Sequence, residues 1–165
     1  MNAAVKFANL QTLEDQITEL AAHISAATWR LLTLIREYDL CSGWNGGGTK
    51  SCAHWLNWKC GIALGAAREK VRVAHALANL PQINDAFREG RLSYSKVRAM
   101  TRVATPENED YLLMIARHGT ASHMERLVRS YRRIGRLEAQ EQLSRRELIC
   151  YIDDDGSYVI RGRLT

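Results

Sequence analysis

The sequence predicts a mainly α protein, a multi-helix bundle that contains a helix-turn-helix-like unit and ends in a β-hairpin. Three observations carry this prediction. Only two prolines occur in 165 residues, so little interrupts a helical hydrogen-bond ladder. Apolar residues recur at helical spacing along most of the chain, and only after Glu147 does the period shorten to that of a strand. Hydrophobic residues make up 46% of the chain, enough to bury a core at this length.

Residues 1–43 are predicted to form one long amphipathic helix. Leu10, Leu13, Ile17, Leu20, Ile24, Ala27, Leu31, Leu34 and Tyr38 follow one another at alternating spacings of three and four. That rhythm keeps a single seam facing a partner helix. The partner is either another helix of the same chain or the same helix in a second copy. Leu32 and Ile35 widen the stripe and favour an intramolecular bundle. Cys41-Ser42-Gly43 ends the helix, and Trp44 to Thr49, with three consecutive glycines, reads as a flexible connector. Lys50-Ser51 follows those glycines without the G-x-x-x-x-G-K spacing or the upstream strand of a phosphate loop.

Residues 44–146 are predicted as the helical core, with the helix-turn-helix-like unit over 51–80. Ser51 caps a short helix from Cys52 to Cys60, which Gly61 stops. After a tight connection from Ile62 to Gly65, a second helix runs from Ala66 to about Leu80 and buries Ala67, Val71, Ala74 and Leu77 or Ala78. Pro81 suits the first turn of the next helix, which ends at Gly90. Ser93 caps another, Tyr94 to Ala104, with Val97, Met100 and Val103 inward. Thr105-Pro106-Glu107 is a start signal of cap, proline and acid, for a helix that stops at His118-Gly119. Ser122 and Glu125 form an S-x-x-E capping box at the head of an arginine-rich helix, 122–146. Its inward face is Met124, Leu127, Val128, Tyr131 and Ile134. Residues 147–165 read as strands Glu147–Ile152 and Tyr158–Leu164 around the turn Asp153-Asp154-Asp155-Gly156.

Charge and chemistry narrow the function classes. The net charge is +5, and it is unevenly placed: residues 117–146 carry eight arginines against three glutamates. Such a balance admits a nucleic-acid partner. The four cysteines form no C-x-x-C pair, and the N-terminus has no continuous apolar run of a signal peptide, so free thiols in a reducing cytoplasm are expected. No apolar run approaches the ~20 residues of a membrane span. No H-E-x-x-H or G-x-S-x-G motif is present. Cys52, His54 and Cys60 fail as a metal set, because residues two apart on a helix point in different directions. Asp153 to Asp155 before a glycine read as a solvated turn. The expectation is a module with no catalytic residues, no metal and no cofactor.

Two segments carry binding signals. In the helix-turn-helix-like unit, Gly61 ends the first helix, Ile62 tucks under it, and Ala67 and Val71 hold the second. Arg68, Glu69 and Arg72 then point outward, as base-reading side chains do. Lys70 stands where that pattern prefers an apolar residue, and Ala63-Leu64-Gly65 makes an apolar turn, so a plain helical hairpin is the competing reading. In the late helix, Arg126, Arg129, Arg132, Arg133 and Arg136 share the face opposite the apolar one. They suit either phosphate contacts or a solvated polar surface.

W-L-N-W-K-C-G-I-A-L-G-A-A-R-E-K-V-R-V-A-H-A-L-A-N-L-P (55–81) and F-R-E-G-R-L-S-Y-S-K-V-R-A-M-T-R-V-A-T-P-E-N-E (87–109) resemble a domain of unknown function found N-terminal to HNH endonuclease domains. That family includes the mycobacterial thirteen-E-twelve repeat proteins, and the resemblance covers roughly residues 10–165. R-E-G-R-L-S-Y-S-K-V-R-A-M is also similar to the helix-turn-helix region of ParB-type partition proteins, which would place the reader at Arg68 to Arg72. The family's nuclease lies C-terminal, and no residue here matches its histidine-asparagine metal motif. The resemblance therefore implies a truncated, degenerate or stand-alone chain whose nuclease domain is absent, with no catalytic residue to carry over. The expected function is a non-catalytic, cytoplasmic module that binds double-stranded DNA. The competing one is a protein-interaction module that forms a homodimer through the N-terminal helix without touching DNA.

Overall fold

The computed structural model describes residues 3–46, 48–144, 147–152 and 158–163. The predicted fold class holds: helices follow one another to residue 144 and an antiparallel hairpin closes the chain. The chain divides into two compact units, 1–126 and 127–165.

In the first unit, α1 (Ala3–Leu40) lies along α3 (Leu64–Ala76) and α4 (Pro81–Arg88), and α2 (Cys52–Cys60) packs on α3. The α4 helix also meets α5 (Tyr94–Met100) and α6 (Glu109–His118). Leu32, Leu56, Val73, Ile83, Phe87, Val97, Met100 and Leu112 form the buried centre. Burying a side chain of this size is worth about 1.5–3 kcal/mol, so these layers outweigh any single polar contact.

The packed face of α1 is not the heptad seam. Ser25, Leu32 and Ile35 are the buried positions, whereas Leu10, Leu13, Ile17, Leu20, Ile24, Leu31 and Leu34 are exposed. At 100° per residue, Ser25 and Leu32 lie roughly 100–120° round the helix from the seam. Trp29 is anchored on that packed side, where its indole N–H donates to the Asn84 carboxamide oxygen at 2.8 Å. The intramolecular bundle therefore forms through the widened edge of the stripe and leaves the seam exposed from Leu10 to Leu34, while Tyr38 packs on Trp55 of α2 with ring centres 4.4 Å apart.

Local chemistry explains most helix ends. Ser51 accepts from the His54 N–H and Ser93 from the Lys96 N–H, so both predicted caps are made. Gly61 ends α2 in the left-handed region. The α3 helix starts at Leu64 rather than Ala66, because the Ala63 carbonyl accepts the Ala67 N–H at 2.9 Å and closes a turn before Gly65. It leaves Val73 buried and Val71 only partly so. The predicted helix over 94–104 stops at Met100 and turns.

The start predicted at Thr105-Pro106 is also displaced, to Glu109. Asn108 holds the intervening turn, accepting from the Thr105 N–H at 2.8 Å and donating to the Val103 carbonyl at 3.1 Å. The last helix, α7 (Ala121–Ser144), is not opened by Ser122 and Glu125. Thr120 Oγ1 accepts from the His123 N–H at 3.3 Å, and His123 Nδ1 accepts the Thr120 N–H at 3.4 Å. This is a reciprocal box with histidine in the usual glutamate position. Glu125 instead pairs with Arg98 at 2.8 Å.

Where a flexible connector was expected, a 3-10 turn spans Gly43–Gly46. The Trp44 indole donates to Asp39 at 3.0 Å, and the Tyr38 hydroxyl donates to the Gly43 carbonyl at 2.6 Å.

In the second unit, β1 (Glu147–Ile152) pairs with β2 (Tyr158–Arg163), Glu147 opposite Arg163 and Ile152 opposite Tyr158. The Asp153-to-Gly156 turn and Leu164 lie outside the described residues. Leu148, Tyr158 and Ile160 are exposed. On α7, Met124 and Val128 are buried but Tyr131 and Ile134 are exposed, so the expected inward face ends at Val128. Among the described residues no helix is long and apolar enough to cross a membrane.

Candidate nucleic-acid interface

The two predicted binding segments have different local environments. In the α2–α3 unit the connection is three residues, Gly61 to Ala63. Asn57 pins it by donating to the Ile62 carbonyl at 2.9 Å. Ala67, Val73 and Ala74 bury the inner face of α3. Arg68 is exposed on its outer side, while Glu69, Lys70 and Arg72 are each partly buried.

Those three are engaged within the chain. Arg72 donates to both Glu69 oxygens, at 3.2 and 3.0 Å, to the Arg98 and Thr101 carbonyls at 3.0 Å each, and to the Thr101 hydroxyl at 3.2 Å. Carbonyls at the end of α5 have no intrahelical partner, and the guanidinium fork supplies one. Arg102 joins the same carboxylate at 2.6 Å. Arg72 and Arg102 hold the Glu69 carboxyl below its usual range, against the opposing pull of burial. Lys70 sits with its ammonium 4.4 Å from the Tyr94 ring centre, and burial lowers its pKa. An aliphatic stem under a stacked head explains a lysine at a position that favours an apolar residue.

This arrangement makes a structural prediction. Arg72→Ala is expected to lower stability by about 2 kcal/mol, because it leaves the Thr101 carbonyl without its donor and the part-buried Glu69 carboxylate with Arg102 alone. A urea midpoint unchanged from the wild type would overturn it. Because the Glu69 pKa is lowered on folding, its stabilisation is present above the normal carboxylate range and fades as pH falls through the lowered value. In Glu69→Gln that part of the acid dependence should vanish, as read from unfolding midpoints across acid pH.

The late helix is differently built. Arg126, Arg129, Arg132, Arg133 and Arg136 are all exposed on α7. Arg129, Arg132, Arg133 and Arg136 follow the i, i+3, i+4, i+7 pattern of one helix face and line a single recess of about 270 Å³. Four guanidinium groups on about 10 Å of helix form a dense positive surface of planar, multi-donor groups suited to phosphate.

A family model matches residues 7–164. The chain belongs to the family described as Domain of unknown function, DUF222. The match takes in all of α1 but its first turn, every later helix and both strands of the hairpin, so α3 and α7 are parts of the DUF222 domain. No curated protein and no solved structure matches this DUF222 chain.

Other features of the domain invite a chemical reading. An apolar groove of about 480 Å³ between α1 and α2 is lined by Leu31, Leu34, Tyr38, Trp55 and Leu56, with Cys41, Cys52 and Cys60 at its wall. Burial, then the charges of Asp39 and Cys60, push the Cys52 thiol up to about 11, which keeps it protonated and weakly nucleophilic at neutral pH. No cluster of three or more potential metal ligands occurs among the described residues. Asp39 is a polar centre that the sequence does not flag: its two oxygens take the Trp44 indole and the His75 ring nitrogen, the latter at 2.7 Å.

Proposed function

We propose that this DUF222 chain is a non-catalytic module that binds duplex DNA through its phosphate backbone, with the arginine face of α7 as the main contact. The observation that carries the reading is the convergence of Arg129, Arg132, Arg133 and Arg136 on one recess. Arg126 extends the same face; Arg68, exposed on α3, is a separate candidate contact within the first unit. Backbone contacts of this type hold and orient a protein on DNA without reading sequence. The resemblance to domains that precede HNH nucleases supports a positioning role for such a nuclease.

Neutralising four phosphates gives a salt slope near −3.6 on logarithmic axes, or roughly a hundredfold loss of affinity between 50 and 200 mM salt. Fluorescence anisotropy on a random-sequence duplex should report that loss. Replacing the four arginines by glutamine should weaken binding and flatten the slope by about three to four. Arg68→Ala should weaken it uniformly across sequences. Salt-independent binding, or no binding at micromolar protein, would overturn the reading.

A second reading is favoured by the uncovered seam of α1: a protein-interaction module that makes no DNA contact. A chain that self-associates and ignores DNA in the same titration would support it against the first.

A further inference from the structure

The α1 helix has two apolar faces between Ala22 and Ile35, and the helical core packs on the one that lies away from the heptad seam. Its packed side carries Ser25, Trp29 and Leu32, and Gly90 approaches the Ala22 backbone there. The other side carries the heptad seam. Residues 9–21 are exposed at every position, about 20 Å of helix with no cover on any face. An isolated helix of that length is marginal in water, yet this one exposes Leu10, Leu13, Ile17 and Leu20 by 52–67%. Towards its other end, the seam residues Leu31, Leu34 and Tyr38 form one wall of the apolar groove against α2.

We infer that the occupant of the seam is a second copy of this chain, paired antiparallel through α1, so that Leu10 and Leu13 of each bare helix meet the groove residues Leu34 and Leu31 of the other. Spacing, area and layer fit support it, and the flanking charges do not oppose it. Strict alternation of three and four over four heptads is the period of a helix-on-helix seam rather than of a broad core face. In the antiparallel register Leu10 meets Leu34 of the second copy, Leu13 meets Leu31, Ile17 meets Ala27, and Leu20 meets Ile24. Every seam residue from Leu10 to Leu34 then has a partner.

Layer fit sets the direction. A parallel pair stacks Ala27 on Ala27 and leaves a void between the Ile24 and Leu31 layers, whereas the antiparallel pair fills that place with Ile17. The exposed area of the seven large seam residues is roughly 700 Å² per chain on an extended-chain reference. Pairing thus removes on the order of 1,400 Å², within the ~1,200–2,000 Å² of stable interfaces. The flanks oppose Asn9 to Glu37, Gln16 to Arg30 and Glu14 to Thr28, with no carboxylate facing carboxylate and no arginine facing arginine.

The test is the mass of the full chain in solution, without DNA, which keeps it separate from the arginine-face reading. Sedimentation at tens of micromolar should give twice the 18.7 kDa of one chain. Ile17→Glu with Ile24→Glu, both exposed positions, should give a folded monomer with unchanged helical circular dichroism. A monomeric wild type, or a double variant that stays dimeric, overturns the proposal. Direction is read in a background with Cys41, Cys60 and Cys150 changed to serine. There, Ala21→Cys should cross-link on mild oxidation and Ala27→Cys should not; the reverse result shows parallel pairing and overturns the register.

Discussion

Gly90→Ala is expected to destabilise the helical core by about 3–4 kcal/mol. Gly90 has φ +74° and completes a Schellman motif after α4, with Arg91 N–H on the Ala86 carbonyl at 2.9 Å and Gly90 N–H on the Phe87 carbonyl at 3.0 Å. A side chain in this left-handed region is worth about 1 kcal/mol of strain. The larger part comes from α1, because a Cβ at Gly90 would lie 2.5 Å from the Ala22 carbonyl oxygen. Backbone cannot rotate away as a side chain can, so the two helices must separate and the packing around Trp29 and Leu32 loosens. Gly61 is the internal control. It has φ +65° and nothing within 4 Å of an added Cβ, so Gly61→Ala should be destabilising by only about 1 kcal/mol. Urea unfolding of both variants checks the pair, and equal midpoints would show that the approach to α1 is unimportant.

Glu109→Ala is the second large effect, at about 3 kcal/mol. Glu109 is 1% exposed, and one carboxylate oxygen accepts the N–H groups of Gln82 at 3.1 Å and Ile83 at 3.2 Å. These are orphan donors at the start of α4, where Pro81 has no N–H and Leu80 offers no side-chain cap. Glu109 therefore caps a helix 26 residues before it, with its charge at the positive end of the dipole. Alanine would leave two donors without an acceptor inside the protein. Glu109→Gln keeps an acceptor oxygen and should recover more than half of the loss. At an m-value of about 2 kcal/mol/M, the alanine variant should lower the urea midpoint by about 1.5 M. A fall below about 0.3 M would show that α4 finds its donors another partner.

These residues mark how much was legible in the sequence. The caps at Ser51 and Ser93, the stop at Gly61, the start at Pro81 and the pairing segments of the hairpin depend on chemistry within a few positions, and the structure has them as expected. The displaced helix starts have local causes that a motif scan weighs wrongly. Thr105-Pro106-Glu107 carries every start signal, but Asn108 folds back to bind the backbone of Thr105 and Val103. Ser122-x-x-Glu125 matches a capping box, but Thr120 and His123 form one two residues earlier. Histidine in place of glutamate was the available signal.

Of the candidate interface, the arginine face of α7 was legible because residues three and four apart on a helix necessarily share a side. The α3 set was not. An outward-pointing position says where a Cβ aims, and nothing about which distant carbonyls lie in reach of a long side chain. Arg72 meets Thr101 29 residues away, and that contact turns a candidate reader into a clamp on α5.

Secondary structure, helix caps, the heptad rhythm of α1 and the arginine stripe of α7 follow from neighbours within about seven residues, so the order of amino acids suffices to specify them. Which side of α1 faces the core does not, because both sides are apolar enough to be buried. Close packing of Gly90 on Ala22 and the bond from Trp29 to Asn84 select one. The roles of Arg72 and Glu109 likewise came only with the tertiary structure, which brings each beside unpaired backbone groups far off in the chain. The seam is uncovered for the same physical reason: the core uses one side of α1 and does not reach the other.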